Sequence, residues 1–109
     1  NRLKSLADAP QSVGKAFICS NNMLTSLAGA PKILNGAFNC SNNKLDSLLG
    51  GPRSVNGTYD CTKNDLTTLE GIPDFVRQVL YCTGNNIPGD VILNYKKMSS
   101  FLIISDEDK

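Results

Sequence analysis

The sequence predicts a β-rich repeat solenoid, in which each repeat unit adds one short parallel strand to a sheet. Three observations carry this prediction. The four cysteines stand at positions 19, 40, 61 and 82 with constant spacing, other residue types recur in columns at the same period, and a short alternating strand pattern surrounds each cysteine. Periods of about 20 to 50 residues are typical of solenoids and other repeat arrays.

The columns can be followed by adding 21 to a residue number. An asparagine stands three residues after each cysteine, and an aromatic or leucine residue stands two residues before it. Leucine, glycine, proline and branched apolar columns complete the unit. The pattern predicts a repeat region over residues 1–87 with an incomplete first unit. Its clearest columns are the cysteines Cys19, Cys40, Cys61 and Cys82, the asparagines Asn22, Asn43, Asn64 and Asn85, and the large apolar residues Phe17, Phe38, Tyr59 and Leu80.

The strand of each unit is predicted from alternation around the cysteine. In the segment 37–41, Phe38 and Cys40 point to one side and Asn39 points to the other, as successive residues of a strand do. Parallel strands stacked about 4.8 Å apart would join the inward side chains into a continuous core. Cysteine is a small and often buried residue, which suits such an inner column.

The asparagine column is predicted to be a structural ladder. The backbone must turn after each strand and leaves N–H and C=O groups facing inward. An asparagine side chain offers both donors and an acceptor, so Asn43 and its equivalents can satisfy these groups and link one unit to the next. On the opposite side, the proline and glycine columns predict irregular convex turns with little helix.

Residues 88–109 leave the pattern and are predicted to form a C-terminal cap with an acidic tail. The ends of a repeat array need cover because their last core layer is otherwise exposed. The apolar stretches 91–95 and 101–104 could supply it, the second as a last strand. The chain also starts inside a unit, so we expect a cap or further units before residue 1.

The core of the unit, F-x-C-x-x-N-x-L, is represented by Phe38, Cys40, Asn43 and Leu45. It resembles the leucine-rich repeat signature L-x-L-x-x-N/C-x-L. The short form is similar to the repeats of secreted bacterial effectors of the IpaH and YopM type, from which it departs by one extra residue between the proline and the strand, and similar repeats occur in bacteriophages. The ligase activity of IpaH-type effectors belongs to a separate domain and is not carried over.

The cysteines are predicted to be reduced and buried. Stacked on successive strands, the first and last would lie about 15 Å apart, whereas a zinc ion needs all four within roughly 2.3 Å. Neighbouring thiols would point in parallel and not at each other, which disfavours disulfides. Unpaired thiols favour a reducing compartment. The sequence therefore predicts a location in the cytoplasm, either of the cell that makes the protein or of a host cell.

Several functional classes are disfavoured by composition. The chain contains no histidine and no paired carboxylates, phosphate loop or dinucleotide motif, so neither catalysis nor a cofactor is expected. The net charge is +1, without a basic stripe of the kind nucleic-acid binders show. The apolar runs are too short to span a bilayer.

The resemblance implies that the concave face of the sheet binds a protein partner. Variation within a strict repeat marks positions that the fold does not dictate. The candidate binding residues are therefore Ile18, Asn39, Asp60 and Tyr81, with Thr58 and Val79 beside them. Two alternatives stay open: a structural segment of a larger assembly, such as a phage particle or an adhesin, and the targeting domain of an enzyme carried elsewhere in the chain. The oligomeric state is not predicted.

Overall fold

The computed structural model describes residues 12–13 and 16–106 and builds them from nine short strands and one helix. The predicted start of the repeats and the tail beyond Asp106 lie outside the described residues. In chain order the elements are β1 Ser12–Val13, β2 Phe17–Ile18, β3 Ile33–Leu34, β4 Phe38–Asn39, β5 Ser54–Val55, β6 Tyr59–Asp60, β7 Phe75–Val76, β8 Val79–Tyr81, α1 Gly89–Met98 and β9 Leu102–Ile104.

The strands form two open, parallel sheets. The five-stranded sheet has the order β2-β4-β6-β8-β9, and the four-stranded sheet has the order β1-β3-β5-β7. Phe38 lies opposite Tyr59, and Leu34 opposite Val55, so partners up to β8 differ by one repeat period. The predicted β-rich class and parallel pairing are confirmed.

The prediction of one strand per unit, backed by irregular turns, is wrong. Each unit also contributes a second strand after its proline, as the backbone bonds from Ser54 N to Lys32 O (3.2 Å) and from Asn56 N to Leu34 O (2.9 Å) show. Proline breaks a ladder only at its own nitrogen and is compatible with extended backbone. Two residues beyond Pro52, nothing prevents Ser54 and Val55 from pairing.

The core lies between the two sheets as columns that continue from unit to unit. Leu24, Leu45 and Leu66 are fully buried, and the leucines three residues later in each unit are buried with them. Along β2, β4 and β6, the rings of Phe17 and Phe38 stack with centroids 5.9 Å apart, and the ring of Tyr59 packs against Phe38 at 5.0 Å with a tilt of 53°. Neighbouring units therefore stabilise each other mainly through burial of apolar surface.

The last part of the chain continues the five-stranded sheet with a different spacing. Leu80 pairs with Ile103 in the predicted last strand β9, whereas the repeat period would place Phe101 opposite Leu80. The longer offset also takes Cys82 to Ser105, which is buried. The repeat pattern of the five-stranded sheet therefore extends beyond residue 87, with serine in the cysteine column.

Helix α1 replaces the second strand in this last part, and the sequence interpretation did not include it. Ile92 is buried in the core, and Tyr95 packs against the core from the next turn of the helix. Asp90 in the first turn and Lys96 and Lys97 in the last turn complement the helix dipole. Periodicity alone does not separate a short apolar run in a strand from one in a helix.

One buried polar atom interrupts the apolar core. Within the part of the chain that the structure describes, the fully buried Tyr59 hydroxyl has no oxygen or nitrogen hydrogen-bond partner and interacts with the weakly accepting Cys40 thiol. It fits because the neighbouring position in this unit is Gly51, where an added Cβ would lie 3.3 Å from the hydroxyl oxygen. The preceding unit has the opposite combination, Phe38 with Ala30.

We expect Tyr59→Phe to raise the free energy of unfolding by about 1–3 kcal/mol, because the weak interaction with the Cys40 thiol does not offset the cost of burying the hydroxyl. The reverse change one unit earlier, Phe38→Tyr, should lower it by about 1–3 kcal/mol, because the Cβ of Ala30 occupies the corresponding space. Urea unfolding measures both. A loss of stability in Tyr59→Phe would mean that the hydroxyl has a stronger partner.

Candidate functional site

The candidate site is the side of the five-stranded sheet that faces away from the core, called the outer face below. Alternation along each strand places it: Leu80 and Ile103 are buried, whereas the residues on either side of them are half-buried or exposed. Two positions per strand define this face, namely Ala16, Ile18, Ala37, Asn39, Thr58, Asp60, Val79, Tyr81, Leu102 and Ile104.

Asn39 and Asp60 are half-buried members of the outer face that also hold the local backbone. Asn39 Oδ1 accepts bonds from the backbone N–H of Ser41 (3.0 Å) and from its hydroxyl (2.7 Å). Asp60 Oδ1 makes the same pair of bonds with Thr62, at 3.0 and 2.7 Å. Such contacts stabilise a turn. The prediction that the fold leaves this column unconstrained is therefore wrong for these two residues.

The two apolar residues of the same column are the more exposed ones. The exposed fraction is 70% for Ile18 and 39% for Tyr81. They lie on β2 and β8 with two strands between them, so about 14 Å of sheet separates them. The four predicted residues therefore form a row across the sheet, and its two apolar members are at opposite ends.

Thr58 and Val79 occupy the second column of the outer face. The Thr58 hydroxyl donates to the amide oxygen of Gln78 at 2.8 Å, and Val79 is half-buried beside Leu102 of β9. Leu102 and Ile104 were not among the predicted site residues. The alternation of residues 102–105 could have identified them, once Ser105 is recognised as the equivalent of the cysteine in earlier units.

The asparagine ladder lies at the end of each strand, behind the outer face. Asn43 Oδ1 accepts the backbone N–H of Leu24 at 3.0 Å. Its Nδ2 donates to the carbonyls of Cys19 (3.0 Å), Cys40 (3.0 Å) and Ser41 (3.2 Å). Two of these partners belong to the preceding unit, as the sequence predicted for a residue that links units.

The same arrangement recurs in the next units. Asn64 Oδ1 accepts the backbone N–H of Leu45, and its Nδ2 donates to the carbonyls of Cys40 and Cys61, at 3.1 Å each. Asn85 accepts from Leu66 and donates to Cys61 and Cys82 in the same way. Asn22 donates to Cys19 O at 2.8 Å. The ladder makes the end of each strand rigid and so fixes the position of the outer face.

The residue before each ladder asparagine adopts a left-handed backbone. The φ angles are 58° at Asn21, 55° at Asn42, 57° at Lys63 and 72° at Gly84. Asparagine and glycine tolerate this conformation better than other residues do. This turn brings the following asparagine side chain back under the strand.

The cysteines are buried beneath the outer face, and no disulfide joins the four. Burial raises the pKa of the Cys19 thiol to about 12. Burial also raises the pKa values of Cys40 and Cys61 well above the ordinary value, with neighbouring thiols adding to the effect. The Cys61 thiol donates to the carbonyl of Tyr81 at 3.2 Å. Thiols held in the neutral form are poor nucleophiles and poor metal ligands.

The described residues offer neither a group of side chains suited to a metal ion nor a membrane-spanning helix. They contain no group of three or more cysteine, aspartate or glutamate side chains placed to hold a metal ion. Within residues 12–13 and 16–106, no helix has the length and apolar character needed to cross a bilayer.

Comparisons with known proteins give no relative from which a function could be transferred. No protein-family model matches the sequence, and neither the curated proteins nor the solved structures contain a significant match. A function must therefore be inferred from the geometry of the chain itself.

We expect Asn43→Ala to lower the free energy of unfolding by about 1–3 kcal/mol, because it leaves buried backbone groups of two units without partners. The neighbouring change Asn42→Gly is the control. It should alter stability by less than about 0.5 kcal/mol, since relief of the left-handed backbone offsets the added entropy of glycine. Urea unfolding measures both, and equal effects would contradict the ladder's role.

The buried thiols should make stability fall at alkaline pH. Unfolded thiols ionise near pH 9, whereas burial raises the pKa of Cys19 to about 12 and the pKa of Cys61 well above its ordinary value, so the unfolded state gains stability as pH rises above 9. The slope is at most about 1.4 kcal/mol per pH unit for each thiol. Urea unfolding from pH 8 to pH 11 should show a shallower decline for Cys61→Ala. Identical slopes would mean that Cys61 is accessible in the folded state.

Proposed function

We propose that this chain is a leucine-rich-repeat solenoid and that it acts as a non-catalytic protein-binding module through the outer face of its five-stranded sheet. The site residues are Ile18, Asn39, Asp60 and Tyr81, with Thr58 and Val79 beside them. We further propose that the protein works in a reducing cytoplasm, as a phage or bacterial effector that acts on a host protein.

The repeat geometry supports the fold assignment. Successive strands of the five-stranded sheet pair in parallel at the constant repeat period up to β8. Asn43, Asn64 and Asn85 each bond backbone groups of their own and the preceding unit, as the asparagine of a leucine-rich repeat would. The second strand in each unit differs from the irregular turns expected on the convex side but leaves the first sheet unchanged.

One observation carries the proposal of binding: the outer face exposes Tyr81 on a strand whose neighbours and ladder hold it in place. Tyrosine contributes a large contact area at a small cost in conformational entropy, and aromatic residues are enriched at interface hot spots. Asp60 lies opposite Tyr81 in the register of β6 and β8 and adds a carboxylate beside the ring.

The open sheets favour a second candidate function. Within the described residues, neither sheet closes on itself, and β9 forms an edge of the larger one. Strand edges can pair with other chains, so a structural segment of a larger assembly is the alternative. Purification of the native protein only within a high-mass assembly would favour it.

The test uses the partner captured from a host or bacterial lysate, then purified and titrated by calorimetry. Tyr81→Ala and Asp60→Arg should each weaken binding by about 30-fold or more, which corresponds to about 2 kcal/mol for a hot-spot residue. Phe75→Ala, which removes an exposed aromatic residue from the four-stranded sheet, is the matched control and should leave affinity unchanged. Normal binding by both outer-face variants would refute the proposed site.

A further inference from the structure

The apolar side chains of the outer face are concentrated on its last two strands. Val79 lies opposite Leu102, and Tyr81 lies opposite Ile104. All four point away from the core, because the residues between them, Leu80 and Ile103, are buried. Leu102 is 57% exposed, and the other three are partly exposed. We call these four side chains the β8–β9 patch.

The rest of the outer face is different in character. Next to the patch, β6 presents Thr58 and Asp60, and β4 presents Ala37 and Asn39. Ile18 is the remaining large apolar residue, and it lies on β2 at the opposite edge. The patch is therefore a contiguous apolar surface bordered on one side by polar side chains, which is the usual arrangement at an interface between proteins.

The outer face carries negative charge and no positive charge. Of its ten positions, Asp60 is the only charged one, although the whole chain carries 11 lysine and arginine residues and a net charge of +1. Asp60 Oδ1 is occupied by Thr62, whereas the described residues give Oδ2 no hydrogen-bond partner. This carboxylate borders the patch beside Tyr81, and an aromatic ring also attracts cations.

We propose that the β8–β9 patch binds a segment of a partner protein that carries an apolar side chain next to a lysine or arginine. This inference rests on the proposed function and narrows it to one end of the outer face. The apolar side chain packs between Tyr81 and Leu102, and the cation lies over β6 near Asp60. Burial of the patch supplies affinity, and the charge sets the position of the segment.

The same charges disfavour other occupants. An anionic polymer or an anionic lipid surface would meet a carboxylate and no cation on this face. A second copy of the chain, joined by a two-fold axis through the patch, would bring two Asp60 side chains into one apolar interface. Like charges in such a place are costly because few water molecules remain to screen them.

In the experiment, peptides that bind the wild-type protein are selected from a random library displayed on phage. The affinity of the enriched peptides is then measured by fluorescence anisotropy. The enriched peptides should combine an aromatic or aliphatic residue with lysine or arginine. Leu102→Ser should weaken their binding by at least about tenfold. Asp60→Asn should weaken it several-fold and reduce its dependence on salt. Ile33→Ser is the matched control and should have no effect, because it removes a comparably exposed apolar side chain (54% against 57%) from the four-stranded sheet. Ile18→Ser, at the other edge of the outer face, tests whether binding extends beyond the patch.

The outcomes separate this inference from the proposed function. Loss of binding in Ile18→Ser but not in Leu102→Ser would overturn the patch and leave the outer face as the binding site. Loss only in Phe75→Ala would overturn both. Acidic peptides, or no enrichment at all, would also overturn the patch. Dimerisation in sedimentation experiments that Leu102→Ser abolishes would replace the partner segment with a second copy.

Discussion

The fold depends on satisfying the backbone groups that turn inward at the end of each strand of the five-stranded sheet. A strand of two residues cannot bury its own turn, and an unpaired N–H or C=O in an apolar interior is costly. One asparagine side chain per unit provides the partners, and Asn43 shows that it reaches the preceding unit at the same time. The cysteine and leucine columns can stack closely because this requirement is met.

The sequence predicted the parts of the structure in which every unit must obey the same constraint. The inward columns and the bonds of Asn43 follow from stacking, which repeats without change. The second strand at Ser54–Val55 was missed because a proline column resembles a strand breaker, although extended backbone can resume two residues later. Helix α1 occurs once, so no periodicity could predict it, and its short apolar run also fits a strand.

The candidate site was predictable in position but not in detail. Alternation places Ile18, Asn39, Asp60 and Tyr81 on the outer face, as the structure has them. The residue types alone did not indicate that Asn39 and Asp60 also hold their own turns, because those bonds depend on where Ser41 and Thr62 fold back. At the repeat period Leu102 would lie opposite Tyr81; the longer offset of β9 instead places Leu102 beside Val79 and Ile104 beside Tyr81, which a search at one fixed period does not detect.

The direction of the asparagine bonds bears on how the chain folds during synthesis. Leu24 N is satisfied by Asn43, so the turn of one unit is complete only after the next unit has formed. At ribosomal speeds of about 5–20 residues per second, one unit takes roughly one to four seconds to synthesise. During that interval the newest strand pairs only with the strand of the preceding unit, because the strand of the following unit has not yet been made. Folding therefore follows translation with a delay of one repeat.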